Sequence, residues 1–145
     1  AAVASLPIYP PEIPVRSQSE KDFMEVVRHA DGIILGTPAY HGGMSGLLKN
    51  AIDILEDLRG DARPYLHDRA VGCVVTSNGW QGGGTTLTSV RTIVHALRGW
   101  PTPLGITINT AEPVFSEDGR CVDARLQPQI TMLAQQVVAF AAKFA

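Results

Sequence analysis

Three short apolar runs, nearly free of polar residues, constrain this chain more than any other feature. They are Ile33-Ile34-Leu35, Ala70-Val71-Gly72-Cys73-Val74-Val75-Thr76 and Leu104-Gly105-Ile106-Thr107-Ile108. A strand with one wet face alternates apolar and polar residues. A run that is apolar at successive positions reads as a strand covered on both faces, as in a parallel sheet between helices.

Helical spacing follows each run. Leu48, Ala51, Ile52, Leu55 and Leu58 share one face after the first, with Gly60 as a stop. Leu87, Val90, Ile93, Val94 and Leu97 do so after the second, ending near Gly99. Leu126, Ile130, Leu133, Val137, Phe140 and Phe144 do so after the third, with Pro128 in the first turn, where proline is tolerated. A helix over roughly 20–30 precedes the first run, with apolar Phe23, Val26, Val27 and Ala30, Ser19 as its N-cap and Glu20 and Asp22 in its first turn. Ahead of it, Pro7, Pro10, Pro11 and Pro14 restrict residues 6–14 to an extended connection. Residues 111–123 are polar and read as a loop or short hairpin.

Strand, loop and helix in alternation describe an α/β domain with an open parallel sheet. The 145 residues make one domain, without a repeat or low-complexity tract. A net charge of −2 provides no basic field, so nucleic acid is not an expected partner. No run approaches the ~18 apolar residues of a membrane span, and a cytoplasmic protein is expected. Cys73 and Cys121 make neither a disulfide framework nor a zinc site, and His29, His67 and His95 lack ligand spacing, so no metal is expected.

In open α/β sheets, ligands bind in the crevice beyond the carboxyl ends of the strands. Two loops lie there. One is Thr37-Pro38-Ala39-Tyr40-His41-Gly42-Gly43-Met44-Ser45-Gly46, and the other runs from Ser77-Asn78-Gly79-Trp80-Gln81 through Gly82-Gly83-Gly84. Their glycines let backbone N–H groups approach a flat ligand with ring acceptors, although glycine also simply makes turns.

The segment TPAYHGGMSGLLKNAID resembles the signature of the NADPH-dependent FMN reductase family, of flavodoxin-like fold, through Pro38, Tyr40, Ser45, Gly46, Leu48, Lys49, Asn50 and Asp53. The second loop is similar to that family's other flavin-ring loop, more loosely. The resemblance implies a three-layer α/β/α sandwich that binds FMN, takes NADPH or NADH as co-substrate, and forms a homodimer or homotetramer with the flavin near a subunit interface. It implies cofactor contacts from Pro38, Ala39, Tyr40, His41, Gly42, Gly43, Ser77, Asn78, Gly79, Trp80, Gly82 and Gly83, with no catalytic side chain. Hydride transfer between nicotinamide and flavin needs no protein acid or base. The acceptor is expected to be a flavin, a quinone or another small oxidant.

The family pattern also opens with a strand, a phosphate-binding loop, a helix and a second strand, none of which precedes Leu6 here. The first visible strand, Ile33–Leu35, is too apolar for a bare edge and calls for a neighbour. The chain, which opens at Ala1, is therefore expected to be an N-terminally incomplete flavodoxin-like domain, short of one βαβ unit of ~40 residues. The FMN phosphate site cannot be assigned within it.

Single residues carry alternatives. Tyr40 either lines the flavin pocket or packs on a neighbouring subunit. His41 is expected in a structural or ring-edge role rather than as an acid. Trp80 is expected at ligand or partner. Ser77 and Asn78 either hydrogen-bond the flavin or only shape the turn. Lys49 and Asp53 read as a helical i,i+4 pair, Arg91 and Arg98 as solvated. Two other functions fit less well: a flavodoxin-type electron carrier, which is usually far more acidic, and a non-catalytic subunit completing another chain's sheet.

Overall fold

The computed structural model describes residues 3–143. Ala1 and Phe144 lie outside them. In chain order the elements are α1 (Gln18–His29), β1 (Gly32–Tyr40), β2 (Gly43–Met44), α2 (Gly46–Ile54), β3 (Ala70–Ser77), α3 (Gly83–Ala96), β4 (Trp100–Pro101), β5 (Ile106–Asn109) and α4 (Leu126–Ala141).

β1, β3 and the pair β4 and β5 form the parallel sheet that the apolar runs require. β1 pairs with β3 from Gly32↔Ala70 to Pro38↔Thr76. The far edge of β3 is shared: β4 pairs at Ala70 and Val71, and β5 from Val74↔Ile106 to Ser77↔Asn109. The third strand expected over 104–108 is thus two short pieces. Thr102 N–H still donates to the Val71 carbonyl at 3.0 Å, carrying the chain between them.

The two faces of β3 divide the core. Val71 and Cys73 pack with Met24 and Val27 of α1, Ile54 of α2 and Val90 and Val94 of α3. Val74 faces the other way, beside Ile106, Ile108, Leu126 and Leu133 under α4. Close approach of α4 requires two glycines in the sheet. A Cβ on Gly32 would stand 2.6 Å from Val137 Cγ1, and one on Gly72 2.6 Å from Leu133 Cδ2. The result is the three-layer flavodoxin-like arrangement.

α1 begins two residues earlier than expected. Ser17, not Ser19, is the N-cap: its Oγ accepts the Glu20 N–H and the Glu20 carboxylate accepts the Ser17 N–H, a reciprocal capping box.

The apolar stripe of α1 is only partly used. Met24 and Val27 enter the core with Phe23 packed against it, while Val26 and Ala30 face a groove that Phe23 and Val27 also line. That groove, of about 480 Å³, runs along the second edge of β1 and is also lined by Ile34, Leu47 and Ile52. Along Gly32–Pro38 this edge has no strand partner among the described residues. Ile34, 54% exposed, sits on it.

Candidate functional site

The first bend is built differently from the loop expected over 37–46. β1 continues to Tyr40 and folds back on β2, with Ala39 paired to Met44 and Tyr40 to Gly43. Pro38 is admissible because β1 has an open edge. Only His41 and Gly42 form the turn, at φ +53° and +81°. Two successive left-handed residues make the tight hairpin whose twist matches its strands. Below it, buried Thr37 Oγ1 accepts the Ser45 N–H at 2.9 Å, and Ser45 Oγ accepts the Leu48 N–H at 3.2 Å, capping α2. The hairpin is thereby tied to a helix.

The second bend leaves β3 at Ser77. Ser77 Oγ donates to the Gly79 carbonyl at 2.7 Å, and Asn109 Oδ1 accepts the Gly79 N–H at 2.8 Å. Gly79 has φ +101°, which suits glycine. The bend runs into α3, whose N-cap position is Gly82 without a side-chain cap. Its first-turn N–H groups have no intrahelical partner, the condition that makes a helix start an attractive place for acceptors.

The two bends meet. A Cβ on Gly82 would lie 3.7 Å from Ala39 Cβ and 4.0 Å from Gly42 Cα. Beside them opens a cleft of about 670 Å³ lined by residues of both bends, among them His41, Trp80, Gln81 and Thr85. None of its lining residues is Asp, Glu, Lys or Arg. Beside Gly42 and Gly79 a Cβ would meet nothing within 4 Å. A slot with three glycines in its lining and no Asp, Glu, Lys or Arg suits an uncharged, planar, acceptor-rich ring system.

Residues 3–113 match the family of NADPH-dependent FMN reductases, a span that contains both bends and α2 between them. The chain belongs to that family. An FMN-dependent NADPH-azoreductase of Staphylococcus aureus is 34% identical over 132 residues, covering 90% of this chain. The chain spans 66% of that relative's length, less than two thirds. Among solved structures, an oxidoreductase from Corynebacterium diphtheriae superposes with a TM-score of 0.72 at 18% identity, over 89% of this chain and 65% of that one. A flavodoxin, WrbA-like protein from Agrobacterium tumefaciens does so with a TM-score of 0.67 at 20% identity, over 88% and 74%. These two carry the flavodoxin-like fold.

Of the residues that this FMN reductase family member was expected to use, the cleft gathers Ala39, His41, Gly42, Ser77, Asn78, Gly79, Trp80 and Gly82. Four stand elsewhere. Pro38 lines the groove of the open β1 edge. Tyr40, 62% exposed, stands on the hairpin outside the cleft lining, and Gly43 sits in β2. Gly83 is buried, and a Cβ on it would stand 3.0 Å from Ser77 Oγ, so its bare Cα lets α3 close on β3. Gln81 and Thr85 line the cleft without having been expected; Thr85, directly after three glycines at a helix start, had a readable position.

The remaining signature residues hold the frame. Lys49 Nζ reaches Asp53 at 2.6 and 2.8 Å as an exposed i,i+4 pair. Asn50 binds the proline-rich segment. Arg91 is not simply solvated, since it donates to the Thr102 carbonyl at 2.6 Å, and Arg98 lies over the Tyr65 ring. Among the described residues no group of three His, Cys, Asp or Glu could hold a metal, and no helix is long and apolar enough to cross a membrane.

Proposed function

We propose that this chain is the ring-binding body of an FMN-dependent NAD(P)H reductase, holding the isoalloxazine in the cleft between the His41-Gly42 hairpin and the Ser77–Gly82 bend. The observation that carries the reading is the contact of Gly82 with Ala39 and Gly42, which makes two separate bends one slot. Backbone N–H groups at the uncapped start of α3 and in the bends offer donors to the ring's acceptors. Family membership and the FMN- and NADPH-dependent azoreductase relative support the same cofactor pair. When bound, FMN supplies the redox chemistry, accepting hydride from the reduced nicotinamide and passing electrons to a flavin, a quinone, an azo compound or another small oxidant. The protein's part is to hold the ring, exclude water from one face and leave the other open for stacking, a proximity effect.

The open edge of β1 belongs to this reading. Its groove receives a further parallel strand with the phosphate-binding loop that follows it, completing the single flavodoxin-like domain. The intact mass of the protein from its source tests that: a mass equal to residues 1–145 alone overturns it. Exposed Tyr40 and Trp80 flank the slot and suit a homodimer or homotetramer, which light scattering reads directly. A cytoplasmic location completes the proposal.

The deciding experiment is a titration with FMN followed by anaerobic NADPH. Binding that quenches flavin fluorescence, then bleaching of the visible flavin band, is expected. Absence of binding overturns the flavin site. Binding without bleaching by NADPH or NADH overturns the reductase in favour of an electron carrier.

A further inference from the structure

We propose that Asn109 is the positioning residue of this flavin site, fixing the direction in which the second bend presents its backbone; the proposal rests on the reading of the cleft given above. Asn109 ends β5, directly opposite Ser77 at the end of β3. Its Oδ1 accepts two N–H groups, from Gly79 at 2.8 Å and from Ala111 at 3.0 Å. The second closes an Asx-type turn on its own strand exit. The first crosses to the other strand's loop and is the one side-chain link from β5 to that bend among the described residues.

The bond orients more than one group. Gly79 is held from both ends, since its N–H goes to Asn109 and its carbonyl accepts Ser77 Oγ. A trans peptide points its C=O and N–H in opposite directions within one plane. With the Gly79 carbonyl turned to Ser77, the Trp80 N–H points away from Ser77. With the Gly79 N–H turned to Asn109, the Asn78 carbonyl points away from Asn109. The Trp80 N–H has no partner among the described residues and lies on the stretch that walls the cleft. Gly79 at φ +101° is free to rotate unless its peptide is held. The rest of the bend's support comes from Thr110, whose N–H and Oγ1 reach the Ser77 carbonyl at 2.8 and 3.2 Å. Those contacts stop at Ser77. From outside the bend, Asn109 alone among the described residues bonds Gly79, so together with Ser77 it fixes how the backbone of residues 78–80 faces the cleft.

The test compares Asn109→Leu with Asn109→Asp. The carboxylate can accept the same two N–H groups, and leucine cannot. Hydrogen exchange of the Gly79 amide is expected to be slow in the natural protein and in N109D and fast in N109L. The FMN Kd is expected to rise about tenfold or more in N109L, the scale of one lost buried hydrogen bond, with a shifted spectrum of bound flavin. N109D is expected to restore both to near the natural values. Faster Gly79 exchange in N109L with unchanged Kd and spectrum overturns the positioning role and leaves the flavin site standing. Unchanged Gly79 exchange in N109L overturns it as well. A natural protein with a protected Gly79 that binds no FMN overturns the site itself, and the role with it.

Discussion

The side-chain amide of Asn50 grips the backbone around Tyr9 from both sides: Oδ1 accepts the Tyr9 N–H at 2.8 Å and Nδ2 donates to the Pro7 carbonyl at 2.8 Å. This is the pairing a neighbouring strand would make, supplied by a helix side chain. A proline-rich segment cannot hold itself by regular backbone bonds, so α2 holds it. Asn50→Ala removes both bonds and is expected to cost about 1–3 kcal/mol. The segment then loosens, and trypsin cleaves after Arg16 faster. Equal cleavage rates in variant and natural protein would show that the segment is held by other contacts.

The same segment carries a pH-dependent clasp. Arg16 forms a fork with Asp57 and stacks on the Tyr9 ring, whose hydroxyl donates to Asp57 at 3.1 Å. The Arg16 guanidinium holds the Asp57 carboxyl below its ordinary value, with the Tyr9 hydrogen bond adding to the effect. A carboxyl depressed in the folded state stabilises above its unfolded pKa, and that stability is lost as pH falls through the folded one. Burial, then the Asp57 carboxylate, push the Tyr9 hydroxyl up. That contribution is present below the unfolded value and is lost as pH rises through the folded one. Thermal melts are therefore expected to show Tm falling below about pH 4 and above about pH 10, the ordinary ranges of the two groups. Asp57→Asn should flatten the acid limb. An acid limb of unchanged slope in D57N would assign it to other carboxylates.

Much of this was legible because parallel strands advertise themselves. Ala70–Thr76 has no polar alternation, and it is the central strand, covered on both faces. Both slot-forming bends were marked by their glycines. The hairpin at Tyr40 and Gly43 was not legible, since His41 at φ +53° gives no turn signal of the Asn-Gly kind. Trp100–Pro101 could not be read as a strand because its pairing is tertiary, with the Trp100 N–H donated to the Arg69 carbonyl at 2.9 Å. Asn109 carried no local sign of reaching Gly79, thirty residues away in sequence. The Ser17 cap was readable, for Ser17 and Glu20 have the capping-box spacing.

Arg69 is a buried cation without a carboxylate partner among the described residues. It is 1% exposed, and its guanidinium donates to the carbonyls of Arg28 at 2.8 Å, Ala30 at 2.9 Å and Tyr65 at 3.1 Å. Two of these carbonyls end α1, the end of a helix that favours a cation. Burial, then neighbouring Arg63, lower its pKa, yet guanidinium stays charged. Arg69→Met leaves buried carbonyls unpaired and is expected to cost about 3–5 kcal/mol. At ~2–4 °C per kcal/mol for a chain of this size, Tm should drop by about 6–20 °C. Arg69→Lys keeps the charge but not the fork and should fall between. A drop of less than about 3 °C in R69M would mean that water replaces the guanidinium.

The two thiols differ by position alone. Cys73 lies on the central strand between α3 and the 54–66 segment, fully buried, with its thiol pushed up to about 11 by burial. Cys121 sits half-buried in the hairpin whose Phe115 it faces. Thiolate is the reactive form. Titration with dithionitrobenzoate near pH 8 should thus label Cys121 alone in the folded protein, and both after unfolding. Rapid native labelling of Cys73 would mean that the sheet opens there.

His41 lines the cleft, yet its backbone explains its place better than its ring does. It shares a two-residue turn with Gly42 at φ +53°, a region that disfavours a Cβ, and its imidazole has no hydrogen-bond partner among the described residues. His41→Gly relieves the strain and is expected to raise stability by up to about 1 kcal/mol. Hydride transfer onto a bound flavin asks no side chain for a proton, so H41G should keep more than about a tenth of the natural turnover with NADPH. General acid–base catalysis is worth roughly a hundredfold to ten-thousandfold. A loss of about a thousandfold at unchanged FMN occupancy would therefore make His41 an acid of this site, whereas a small change leaves it as the shape of a turn.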